Sequence, residues 1–243
     1  MNEKNSDAVY QYQGENAENY YNIVREDSRG DFSGGIDAAV FSYLQEQITR
    51  VQGKIVLDVG CGDGRWSEYM AKHDASEIVG IDISEKMIAL AETRKNQKRL
   101  SNVRFMTMDV RKMLFPDQYF DFALSVFSMM YFSDLDFVLR EVSRVLKKDA
   151  EMYIATNIFE IDGHLENIRP DDLEVPLELG YDKKMRVTNV MQTHSLYEKS
   201  FKTAGFLLQN EEYFAPDGVV IANDYKHKQN IELKKAVFYL IKD

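Results

Sequence analysis

At 243 residues with a 44% apolar share, the chain is long enough for one sizeable α/β core carrying insertions. Its net charge of −10 argues against a nucleic-acid partner, because a phosphate-backbone surface needs clustered Lys and Arg. No apolar run approaches the ~20 residues that cross a bilayer, no apolar signal core follows Met1, and a single cysteine leaves no internal disulfide, so a cytoplasmic setting without membrane contact is expected.

Residues 1–36 mix polar residues and glycines with Tyr10, Tyr12, Tyr20, Tyr21 and Phe32, and read as an arm ahead of a domain spanning 37–243. Asp37 can cap a helix running to about Gln52, with Val40, Phe41, Leu44, Ile48 and Val51 on one face. A short β-branched run, Lys54–Val59, predicts the first strand and stops at Gly60-Cys61-Gly62-Asp63-Gly64. Trp66, Tyr69 and Met70 then fall at helical spacing over Arg65–His73. A second strand, Glu77–Asp82, ends in an acid eighteen residues past Gly64. Strand, glycine turn, helix and strand with a terminal acid make a βαβ unit suited to a nucleoside: the turn brings backbone close, and one carboxylate accepts from both ribose hydroxyls. Asp58, just before the turn, would repel a pyrophosphate and attract an amino-acid cation.

Ser84 caps the next helix, through Met87, Leu90 and Ala91; the basic run Arg94–Arg99 at its end complements the helix dipole. Val103–Met108 predicts strand three, with Asp109 behind it, and Phe120–Val126 a nearly all-apolar central strand four. Ligands of open α/β sheets sit beyond the carboxyl ends of the strands, so Phe127–Phe132 should line a pocket. Leu135–Lys147 has helical periodicity and Glu151–Thr156 reads as strand five. Between Asn157 and Thr193 no strand or helix is predicted, and acids recur, among them Glu160, Asp162, Glu166 and Asp171. They make either a field for a cationic amine or a solvated loop. A helix over His194–Ala204 should turn Leu196 and Phe201 inward, and Phe206–Phe214 and Ala236–Lys242 read as two antiparallel strands. The segment 215–235 between them is long enough to cross a substrate mouth.

Taken together these stretches resemble the class I S-adenosylmethionine-dependent methyltransferases. Val56–Gly64 resembles their first motif, Gly80-Ile81-Asp82-Ile83 the second, Met106–Val110 the third and Phe120–Ser125 the fourth strand, while Leu139–Lys147 resembles the helix before the fifth. The chain departs from the family at Lys148-Asp149-Ala150, where a Pro-Gly-Gly turn is usual. The resemblance implies a three-layer, Rossmann-like, seven-stranded mostly parallel sheet with an antiparallel last strand, helices on both faces and an N-terminal helical lid. It implies S-adenosyl-L-methionine as cofactor, held by Asp58, Gly60, Cys61, Gly62, Asp82, Ile83, Met87, Asp109, Val110 and Ser125. Asp109 would meet the adenine amino group, Ile83 and Met87 would flank the base, and Cys61 would fill space under the cofactor. The run from Tyr12 to Tyr20 is similar to the arm of amino-sugar N-methyltransferases, which adds both tyrosines to the cofactor set and to the reaction centre. A tyrosine face attracts a sulfonium by about 0.5–2 kcal/mol.

Methyl transfer needs alignment and exclusion of water more than acid–base groups. Candidate catalytic residues are Tyr12, Tyr20, Tyr131 and His194; relatives often have a histidine near Met130 or Tyr131, and this chain has none there. His164 beside Asp162 is a weaker candidate. No histidine or cysteine spacing suggests a metal. The expected activity is methylation of a small molecule, leaning to nitrogen over oxygen and so to an amine substrate, by a monomer or homodimer. A peptide or protein N-methyltransferase, a nucleic-acid methyltransferase, a nicotinamide-dependent oxidoreductase and a non-catalytic module of the same fold remain as alternatives.

Overall fold

The computed structural model describes residues 38–161, 174–179, 185–190, 192–214, 220–224 and 229–243. The arm with Tyr12 and Tyr20, the predicted cap Asp37, and His164 lie outside the described residues.

Helix α1 (Ala38–Gln47) continues as a 3-10 turn, Ile48–Val51, and buries the five apolar residues its periodicity singled out. Strand β1 (Ile55–Val59), helix α2 (Arg65–Ala71), strand β2 (Glu77–Asp82), helix α3 (Glu85–Lys98) and strand β3 (Val103–Thr107) follow in the expected order. Ser84 caps α3 by accepting from the Met87 N–H at 3.3 Å. Next come β4 (Phe120–Val126), α4 (Leu135–Val145), β5 (Leu146–Ile161), β6 (Glu174–Leu179), β7 (Met185–Val190), α5 (His194–Thr203), β8 (Phe206–Phe214), β9 (Val220–Asp224) and β10 (Gln229–Lys242). The main sheet has the order β3-β2-β1-β4-β5-β10-β8, with β9 also paired to β10. β1 to β5 pair in parallel, whereas β10 runs antiparallel to β5, β8 and β9. This is the expected mostly parallel architecture.

Strand alternation sends two apolar sets to opposite faces. Phe41, Leu44, Trp66, Met70, Phe122, Tyr153 and Val237 form one core, under α1 and α2. Leu57, Phe120, Val138, Leu139, Val142, Tyr197, Phe201 and Phe238 form the other, under α4 and α5.

Four expectations are corrected. α4 stops at Val145 and β5 begins at once, so Lys148-Asp149-Ala150 is a bulge within β5 instead of a turn before it. Phe120 pairs Leu146 while Phe122 pairs Glu151, and the excess chain is absorbed with Asp149 at φ 61°, a conformation aspartate tolerates better than most residues. The stretch after Asn157 is not featureless: β5 runs on to Ile161, and β6 and β7 form an antiparallel pair. Pro176 and the surrounding acids weaken the strand signal of β6, and cross-strand pairing overrides it. The segment 215–235 likewise holds β9 and the start of β10. Leu196 is 38% exposed, because α5 turns Tyr197 and Phe201 inward, four residues apart.

The Phe238 ring lies 5.3 Å from Tyr197 and 5.0 Å from Phe201, centroid to centroid, and all three are buried. Phe238→Ala should therefore destabilise the protein by about 3–5 kcal/mol. Urea unfolding would show this as a lower midpoint at an unchanged slope.

Candidate active site

The strand order reverses between β1 and β4, and the site is built at that reversal. β1 ends at Val59, and the Gly60 and Cys61 N–H groups donate to the Ile81 carbonyl at 2.8 and 2.9 Å, folding the chain over the end of β2. Gly60 has φ 68°, and a Cβ placed on it would lie 2.5 Å from the Ser128 Cβ. Ser128 in turn donates through Oγ to the Val59 carbonyl at 3.1 Å and shares a 2.8 Å hydrogen bond with Ser125 Oγ. Gly62, at φ 53°, meets nothing within 4 Å on its Cβ side, so its backbone is open to a ligand.

The Gly62 N–H donates to Asp82 Oδ2 at 3.0 Å and the Ser84 N–H to Asp82 Oδ1 at 2.9 Å. These bonds fix the carboxylate yet leave lone pairs on both oxygens. Burial raises its pKa against the pull of those N–H donors. Asp109 follows β3, and Arg111 grips its carboxylate, with Nη2 2.9 Å from Oδ2 and the backbone N–H 2.9 Å from Oδ1. Although burial opposes ionisation, these bonds keep Asp109 below the usual carboxylate range.

A cleft of about 780 Å³ opens beyond the carboxyl ends of the strands. Of the sequence-predicted residues, Gly60, Gly62, Asp82, Ile83, Met87, Asp109, Val110 and Tyr131 line it, as do Phe127, Ser128 and Phe132 of the predicted pocket segment. Met108 and Arg111 also line it and were not anticipated.

Four candidates lie elsewhere. Asp58 is 2% exposed and sits behind the turn, where Ser67 Oγ donates to its Oδ2 at 2.6 Å. Burial, reinforced by Asp82 and Asp63, pushes its pKa up to about 7 despite the Ser67 bonds. Asp58 therefore does not converge with Asp82 and Asp109 on one cleft. Cys61 lines a second cavity of about 540 Å³ across the turn, with Phe41, Trp66, Arg65, Met87 and Phe127. Burial drives its thiol pKa well upward, which disfavours the reactive thiolate. Ser125 is fully buried and hydrogen-bonded to Ser128, which does line the cleft. His194 does not line the cleft either: α5 packs against the outer strands, which brings His194 Nε2 to 2.8 Å from Glu211 on β8 and Nδ1 to 3.5 Å from Glu198.

Two further residues escaped the sequence reading. Arg94, expected to serve the dipole of α3, joins α3 to the glycine turn: it meets Asp63 Oδ2 at 2.6 Å and Glu68 at 3.0 Å, and donates to the Asp63 carbonyl at 2.9 Å. Lys235 on β10 is 8% exposed, with Nζ 5.4 Å from the Phe127 ring centroid. Among the described residues no group of three or more His, Cys, Asp or Glu could hold a metal ion, and no helix is long and apolar enough to cross a membrane.

A doubly wound sheet, a glycine turn at its switch point and an acid ending the second strand define a Rossmann-like nucleoside-binding fold. Residues 56–149 match the family model described as "Methyltransferase domain", the stretch that carries the S-adenosylmethionine-dependent methyltransferase motifs read from the sequence. It is 31% identical over 121 residues to the ubiquinone biosynthesis O-methyltransferase of Coxiella burnetii, covering 50% of each chain. It is 29% identical over 212 residues to a sterol 24-C-methyltransferase of Gibberella zeae, covering 82% of this chain and 53% of the other. The chain thus spans about half the length of these curated relatives. An S-adenosylmethionine-dependent methyltransferase from Mesorhizobium loti shares the fold with a TM-score of 0.62 at 20% identity, over 87% of this chain and all of that one, 100%. So does the geranyl diphosphate C-methyltransferase of Streptomyces coelicolor, crystallised with Mg2+, geranyl diphosphate and S-adenosyl-L-homocysteine, with a TM-score of 0.61 at 13% identity over 83% and 77%.

The Asp58 carboxyl yields a stability prediction. The native state holds the Asp58 proton up to about pH 7, whereas the unfolded chain releases it near 3.8. Native protein therefore binds more protons across that interval, and this group makes stability fall as pH rises through it, by on the order of a few kcal/mol. Asp58→Asn should remove that slope, so urea unfolding at pH 5 and pH 8 should show the variant gaining on wild type at pH 8.

Proposed function

We propose that this chain transfers a methyl group from S-adenosylmethionine to a small-molecule acceptor, at nitrogen or oxygen. The observation that carries this reading is Asp82: its two oxygens are anchored by backbone N–H groups and keep acceptor capacity in the cleft, as a ribose diol requires. The other lining residues fit the rest of the donor. Asp109 would accept from the adenine amino group, with Ile83, Met87 and Val110 around the base, and the open backbone at Gly62 gives close approach near the amino-acid part.

When bound, the sulfonium supplies an electrophilic methyl group and a neutral thioether leaving group. The chain's own part is to position the two reactants and to keep water out. Val126, Phe127, Phe132 and Tyr131 supply the apolar wall at the end of β4 where an acceptor would enter. The acidic composition of 157–193 supports an amine acceptor; the O- and C-methyltransferase relatives support a wider range.

Isothermal titration with S-adenosylhomocysteine should show saturable binding, and no measurable binding at millimolar ligand would reject the proposal. Asp82→Asn should weaken that binding about tenfold or more, since one acceptor of a charged pair is lost. A thermal melt confirms that the variant is folded, and an unchanged affinity would move the ribose away from Asp82.

A further inference from the structure

Arg94 stands outside the cleft, yet its side chain ends on the turn that shapes it. α3 starts at the cleft, where Ser84 caps it and Met87 lines the wall. Arg94 lies seven residues after Met87, two turns along the same face of the helix. Its guanidinium donates in three directions: Nε to the Asp63 carbonyl at 2.9 Å, Nη2 to Asp63 Oδ2 at 2.6 Å and Nη1 to Glu68 Oε2 at 3.0 Å. Asp63 belongs to the glycine turn and Glu68 to the first turn of α2. One side chain of α3 thus holds both the end of the turn and the start of the helix that follows it. The Arg94 side chain is 21% exposed and that of Asp63 7%, so water screens the pair little. Although burial opposes ionisation, Arg65 and Arg94 hold Asp63 below the usual carboxylate range.

The residue before Asp63 is Gly62, whose N–H donates to Asp82 Oδ2, while Asp82 Oδ1 takes the Ser84 N–H. The turn is therefore fastened to α3 twice, through the Asp82 carboxylate at the start of the helix and through Arg94 near its end. The Asp82 clasp faces the cleft, and it holds only while Gly62 keeps its orientation. Gly62 has no side chain to anchor its own backbone, so the anchored neighbour, Asp63, sets that orientation. We propose that Arg94 is a positioning residue for the donor site: by fixing Asp63 it keeps the Gly62 N–H on Asp82, and so holds the Asp82 oxygens as a ribose diol requires. This rests on the methyl-transfer reading and deepens it, since Arg94 does not itself line the cleft. Lysine should replace it only in part, because a single ammonium does not reproduce the planar fork. Arg65 Nε stays 3.0 Å from Asp63 Oδ1, so the buried carboxylate keeps a cation when Arg94 is changed and the fold should survive.

Two measurements on Arg94→Met and Arg94→Lys test this, with thermal melts to show that each variant is folded. The first is hydrogen exchange by NMR on 15N-labelled protein without ligand. The Gly62 N–H should lose about tenfold or more of its protection in Arg94→Met, whereas the Gly60 and Cys61 N–H groups, which donate to the Ile81 carbonyl, should keep theirs. Equal loss at all three, or a Gly62 N–H already unprotected in the wild type, would overturn the role. The second is isothermal titration with S-adenosylhomocysteine. Affinity should fall about tenfold in Arg94→Met, the size of one lost hydrogen bond to a charged group, and less in Arg94→Lys. An affinity within about twofold of wild type in folded Arg94→Met, or a fall with Gly62 protection unchanged, would overturn the role of Arg94 and leave methyl transfer standing. If Arg94→Met does not fold, Arg94→Lys carries both readouts in the same direction. Failure of the wild type to bind S-adenosylhomocysteine would reject the methyl-transfer reading itself, and the proposal with it.

Discussion

The site depends on one close approach: the backbone of Gly60 against the side chain of Ser128. The two residues follow β1 and β4, the strands between which the sheet order reverses, and any side chain at Gly60 would occupy the space of Ser128. Ser128 completes the contact by donating to Val59, the last residue of β1. With that junction closed, the turn can project Gly62 toward Asp82, and Phe127 to Phe132 can form the facing wall. A crevice at a switch point is generic to doubly wound sheets; the glycine–serine contact sets its width here.

Around that junction the protein treats its carboxyl groups differently. Asp63 is held ionised by Arg65 and Arg94, which spend its charge on fixing the turn to α3. Asp82 is buried but supported by backbone donors, so it stays directed into the cleft. Asp58 is buried with one serine, and its pKa rises toward neutrality. The nearby acids thus divide into one that fastens the turn, one whose oxygens face the cleft and one buried behind the turn.

Much of this was legible in the sequence because the parallel half of the fold is local. Each βαβ step places an apolar run, a cap and a terminal acid within a short stretch, so β1, β2, β4, the Ser84 cap, and Asp82 and Asp109 could be read directly. Legibility fell where long-range pairing decides the outcome. β6 carries a proline and acids and becomes a strand only because β7 pairs with it. His194 has a suggestive position in the chain, yet α5 docks on the outer strands and hands it to Glu211. Lys235 is hidden in the sequence because the alternation that predicts the last strand begins at Ala236. Extending its alternation by one residue places Lys235 on the face of Val237 and Tyr239, among buried groups. Asp58 shows the reverse limit: its place just before the turn was legible, but which side of the turn it occupies depends on Ser67 of the next helix.

The central claim is that a nucleoside sulfonium lies across this junction with its ribose on Asp82. A crystal structure of the protein with S-adenosylhomocysteine tests it most directly. The account predicts both ribose hydroxyls within hydrogen-bond distance of the Asp82 carboxylate, with the base between Ile83, Met87 and Val110 and its amino group toward Asp109. A nucleoside bound on another face, or an anion seated against Gly60 to Gly64 with the Asp82 oxygens left to solvent, would contradict it.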